Sequence, residues 1–84
     1  MPATDEAVAY IHGIADEMVR QFGVDREEAV GRIRAFWRGT AFVTRYDLMA
    51  LFHRDEEDWA KQIYYGGEPW WLPGPPPEPA PYPA

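Results

Sequence analysis

His53–Trp71, HRDEEDWAKQIYYGGEPWW, is the stretch on which the fold turns. The acids Asp55, Glu56, Glu57 and Asp58 stand beside His53, and two readings compete. A metal or acid–base site would pair His53 with Glu57, four residues on and on the same helical face. That pair finds no further local ligands, whereas structural zinc wants four, typically Cys and His. His12 with Asp16 has the same spacing, but nothing local joins the two pairs. The other reading is a helix start. Asp55 is a natural N-cap, and Glu56, Glu57 and Asp58 occupy the first turn, where the positive end of the helix dipole stabilises negative charge. This reading needs no ligand, and the expectation is therefore no metal, no cofactor and no catalytic residue. Trp59, Ile63 and Tyr64 make the apolar side of a helix over 56–65, and Gly66-Gly67 stops it.

Working towards the N-terminus, the same punctuation recurs. Thr44 with Asp47 predicts another capped helix, with Leu48, Leu51 and Phe52 facing one way. Residues 45–65 read either as two helices meeting at His53–Asp55 or as one continuous helix. Gly39–Val43 reads as a loop or a short extended piece. Asp25 and Glu28 have capping-box spacing ahead of Ala29, Val30, Ile33, Phe36 and Trp37, which predicts a helix over 26–38. Gly31 and Ala35 are four apart on another face, a spacing that can let a neighbouring helix approach, although a merely tolerated glycine is the favoured reading. Thr4 caps a helix over 5–22, in which Val8, Ile11, Ala15, Met18 and Phe22 recur at helical spacing and Ile14 widens the stripe. Gly23 is suited to end it, while Gly13 inside it costs about 1 kcal/mol relative to Ala.

Beyond Gly67 the chain changes character. Eight of the sixteen residues from 69 to 84 are proline, which supplies no backbone donor and fixes φ, so helix and central strand are excluded. Polyproline II or irregular structure is expected. Two large rings at Trp70-Trp71 are costly to leave in water. They are expected, with Leu72 and Tyr82, to fold back over the helices and dock the strap at least to about residue 77. The competing reading is a free tail for a proline-binding domain. The expected architecture is thus all-α: a three- to four-helix domain over 1–67 and a proline- and aromatic-rich segment over 68–84.

An 84-residue chain makes at most one domain and buries only about 60% of its unfolded surface. Four Trp, five Tyr and four Phe supply the core, each large ring hiding roughly 150–250 Å². There is no cysteine, so neither a disulfide framework nor a thiolate metal site is available. No apolar run reaches membrane-spanning length, and Met1-Pro2-Ala3 opens no signal sequence. A cytoplasmic setting is expected, without membrane contact. Arginine makes up seven of the eight basic residues, a composition of the bacterial or phage type.

The chemistry is sparse. Gly66-Gly67 follows a helix instead of opening one, so it is no phosphate loop. Three threonines and no serine leave little for hydroxyl-based nucleophilic catalysis. A non-enzyme is expected. The net charge of −6 opposes general nucleic-acid binding, which rests on clustered Lys and Arg. The basic residues concentrate in the middle: Arg26, Arg32, Arg34, Arg38 and Arg45. Helix, glycine turn and second helix then suggest a helix-turn-helix DNA-binding or transcription-regulating protein using that Arg-rich helix. Against it, the would-be recognition helix opens with Asp25, Glu27 and Glu28, where base and phosphate contacts belong. The favoured reading is a small acidic protein-interaction module: an inhibitor, adaptor or accessory subunit that works by covering a surface of another protein. Aromatic and Arg residues are the usual anchors. The candidates are Arg34, Arg38, Trp37, Trp70 and Trp71, with Glu56 and Glu57 for the acidic face. For Trp37 and Trp59 a place in the core is the favoured assignment.

Overall fold

Each helix begins where a short oxygen-bearing side chain turns back on the backbone. A computed structural model describes residues 2–82, with α1 at Asp5–Phe22, α2 at Arg26–Phe36, α3 at Arg45–Phe52 and α4 at Glu56–Tyr64. Thr4 accepts from the Ala7 amide at 3.2 Å, Asp25 from Glu28 at 2.7 Å, Thr44 from Asp47 at 3.1 Å and Asp55 from Asp58 at 2.8 Å. Each bond satisfies an amide that the helix leaves without a partner. In α3 the box closes both ways, since the Asp47 carboxylate accepts from the Thr44 and Val43 amides at 2.9 and 3.0 Å. In α2 it closes one way only, because Glu28 turns along the helix to pair with Arg32 at 2.8 Å.

Residues 45–65 are two helices. The break falls at Asp55, which is extended at φ −74°, ψ 169°. Two bonds hold the corner: the Trp59 indole N–H donates to the Leu51 carbonyl at 2.7 Å, and the Tyr10 hydroxyl donates to the Arg54 carbonyl at 2.5 Å. α2 stops at Phe36, two residues short of the expected end, where Trp37 leaves helical geometry at φ −103°, ψ 25°. α1 closes on Gly23 at φ 68°, a left-handed conformation that glycine adopts without a Cβ penalty.

α1 is the central helix, packing chiefly on α4 and then on α2. The largest fully buried side chains are Ile14, Met18, Ile33 and Leu51. Ala7, Ala15, Ala29 and Ala60 are also buried, and such small residues allow short interhelical distances. This displaces the expected stripes slightly. Ala7 is inside at the first turn while Val8 is exposed, and Phe36 and Phe52 are borderline exposed where burial was expected. At the far side of the core Trp37 meets Phe42 and Trp59 edge-on, with centroids 4.9 and 5.0 Å away. Phe22 stacks on Tyr64 at 3.8 Å. Phe42 is held by a single bridge to Ala3: its amide donates to the Pro2 carbonyl at 2.8 Å, and the Thr4 amide donates to the Phe42 carbonyl at 3.0 Å.

The C-terminal segment departs from its expected course. Trp70 is half-buried, with the Lys61 ammonium 5.2 Å from its ring centroid. Trp71 and Leu72, expected to lie on the helices, are 60% and 56% exposed, and residues 73–76 are exposed with them. Contact with the helices resumes further on. The Ala80 amide donates to the Tyr64 carbonyl at 2.8 Å, and Arg32 donates to the Ala80 carbonyl at 2.7 Å. Hydrogen bonding and an arginine platform hold the far end, while proline, lacking a donor, gives the middle little to bond with.

Candidate protein-interaction surface

The run that looks most like chemistry is structural at its start. Asp55 caps α4, and Glu56, Glu57 and Asp58 fill its first turn. Glu56 lies against α1: a Cβ at Gly13 would fall 2.9 Å from the Glu56 Cδ. Glu57 faces Lys61 at 3.7 Å, and its carbonyl accepts from the Gln21 amide group at 3.2 Å. With Asp16, Glu17 and Asp55 they line a shallow acidic depression between α1 and α4. Arg26 and Arg20 partly neutralise its rim, through Asp16 and through Glu17 at 2.5 Å. The Arg20 hydrogen bond holds the Glu17 carboxyl below its ordinary range. Among the described residues no group of three or more His, Cys, Asp or Glu is arranged to hold a metal ion.

The other sequence candidates do not assemble into one site. Trp37 is 7% exposed and belongs to the core, so it offers no surface to a partner. Arg34 is exposed on α2 and Arg38 is exposed in the turn that follows it. Arg32, beside them in sequence, is turned inward to Glu28, Ala80 and the rings of Tyr64 and Tyr82. Asp25 and Glu27 are exposed at the start of the same helix. α2 thus presents acids at its N-terminus and Arg34 in its last turn, with Arg38 just beyond it. Trp71 is exposed in the proline segment, 5.7 Å edge-on from the half-buried Trp70.

One surface escaped the sequence reading. α3 reaches the core through Leu51, and Phe52 meets Tyr10 edge-on at 4.9 Å. Its other side carries Tyr46, 81% exposed, and Met49, 61% exposed, with Ala50 also exposed and Val43 just ahead of the helix. Tyr46, Met49 and Ala50 share a face by helical spacing. The signal in the sequence was a helix apolar on both sides, one side more than a peripheral helix needs for its own packing.

No family model, curated protein or solved structure matches this chain. Among the described residues no helix is long and apolar enough to cross a membrane.

Proposed function

We propose that this protein is a small interaction module that binds another protein through the outer face of α3, with Tyr46 and Met49 as anchors and Val43 and Ala50 beside them. The carrying observation is the exposure of two large side chains, at 81% and 61%, on one face of a helix whose other face is packed. Tyrosine and methionine are enriched at interfaces, where Tyr adds a polar handle and Met adapts to irregular partners. The acidic depression between α1 and α4 supplies a second, charged patch suited to orienting a basic partner. On this reading the protein acts by covering a surface, as an inhibitor, adaptor or accessory subunit, and carries no catalytic centre.

The test is capture of partners from the native cell by three proteins matched for circular dichroism: the unaltered chain, Tyr46→Lys with Met49→Lys, and Arg34→Glu with Arg38→Glu. A partner lost from the first pair and kept by the second supports the α3 surface. A partner, or duplex DNA, lost only from the arginine pair would move the functional surface to α2.

A further inference from the structure

Gly31 sits in the interior of α2 with ordinary helical geometry, so no turn calls for a glycine there. A Cβ at this position would fall 2.7 Å from Cε1 of Tyr82. The ring of Tyr82 therefore occupies the place of a side chain. Arg32 completes the seat. Its side chain is only 10% exposed, and its guanidinium lies 4.8 Å from the Tyr64 ring centroid and 5.4 Å from that of Tyr82. The same guanidinium donates to the Ala80 carbonyl at 2.7 Å, and the Tyr64 carbonyl accepts from the Ala80 amide at 2.8 Å. One residue of the extended segment is thus bonded on both its amide and its carbonyl. The Ala80 methyl lies against Gly66, where a Cβ would come within 2.9 Å of it.

We propose that the surface formed by Gly31, Arg32, Tyr64 and Gly66 is a peptide-recognition site for an extended small–proline–aromatic segment, and that Ala80-Pro81-Tyr82 is its tethered occupant. This surface is separate from the α3 face. Each ligand position has its own selection. Gly66, lacking a Cβ, leaves room for the methyl at the first position, and the paired backbone bonds fix the register. Proline at the second position holds the segment extended and needs no donor. The third position takes an aromatic ring that covers Gly31 and stacks on Arg32, a contact an aliphatic side chain cannot reproduce. The partner so defined is a protein with an exposed Ala-Pro-Tyr-like segment, which binds once the tethered copy is displaced. A tethered ligand competes at an effective concentration on the order of millimolar, so at rest the groove is shielded.

The test uses the full chain with Ala80→Pro and Tyr82→Ser, which removes the amide donor and the ring and leaves the groove unaltered. The probe is a fluorescent peptide of the sequence Pro-Glu-Pro-Ala-Pro-Tyr, titrated by anisotropy. The expected result is saturable binding at least tenfold tighter than to the unaltered chain. Adding Gly31→Val to the receptor, or replacing the peptide's tyrosine by serine, should each weaken binding at least tenfold, with unchanged far-UV circular dichroism of the receptor. Equal affinity for the vacated, unaltered and Gly31→Val chains, or no saturation of the vacated chain up to millimolar peptide, would overturn the proposal.

Discussion

At the scale of single residues, the division between structural and surface aromatics gives the first contrast. Trp37 is enclosed by Phe42 and Trp59. Trp37→Ala should cost about 3–5 kcal/mol, as removal of a buried large ring does. Arg34→Ala on α2 and Arg38→Ala in the turn after it, both exposed, should each stay within about 0.5 kcal/mol. Urea denaturation of the three variants checks both figures. Tyr10 gives a second prediction. Burial first, then the charges of Glu56 and Asp55, hold its hydroxyl above the ordinary tyrosine value. The fold therefore favours the protonated form. Its contribution is complete below about pH 10 and is lost as pH rises through the raised folded-state value. Tyr10→Phe should cost about 0.5–1.5 kcal/mol at neutral pH through the lost bond to Arg54. It should also flatten the fall in stability above about pH 10, and a pH series of thermal melts with the same slope in both proteins would mean that burial and the two acids do not raise the folded-state value.

At the scale of elements, the helix starts were the most legible feature, because a capping side chain and the acids behind it act within one turn. Thr4, Asp25, Thr44 and Asp55 could each be read from neighbours alone. Core membership was less legible. Hydropathy favours Val8 over Ala7, yet the approach of α1 to its neighbours admits small residues such as Ala7 and Ala15. The outer face of α3 was missed for the opposite reason: periodicity finds an apolar stripe but cannot say how many neighbours will cover it. α3 also carries a prediction. Amides of Thr44 and Val43 hold the Asp47 carboxyl below its ordinary range. That support is present above the ordinary carboxylate value and is lost as pH falls through the lowered one. Protection against amide exchange, taken relative to the intrinsic rate at each pH, should then fall in residues 45–49 below about pH 4 before it falls in α1, and Asp47→Ala should produce the same loosening at neutral pH. The acidic run of α4 makes a matching case. Asp55→Ala should cost about 1 kcal/mol as a lost cap, and Zn²⁺ titration calorimetry should give no one-to-one isotherm. A tight isotherm abolished by His53→Ala would restore the metal reading.

At the scale of the whole molecule, the proline segment decides what counts as the folded unit. Composition alone indicated that this segment would be neither helix nor strand. Large apolar side chains marked Trp70, Trp71, Leu72 and Tyr82 for docking, but nothing in the residue types marked Ala80, whose contacts run through its backbone. Trp70 rests on Lys61 and Tyr82 on Arg32, as expected of both rings, whereas Trp71 and Leu72 face water and Ala80 adds bonds to α2 and α4. Removing everything after Gly67 should therefore cost about 2–4 kcal/mol, since half-buried rings are lost, from a total of roughly 5–15 kcal/mol. The strap belongs to the fold through its far end. The most direct measurement is urea denaturation, followed by far-UV circular dichroism, of the full chain, of Tyr82→Ala, and of Trp71→Ala with Leu72→Ala. Tyr82→Ala should lower the midpoint, through a loss of about 1 kcal/mol of stability from the cation–π contact and ring burial, while the Trp71/Leu72 pair leaves it in place. A midpoint unmoved by Tyr82→Ala and lowered by the Trp71/Leu72 pair would contradict it.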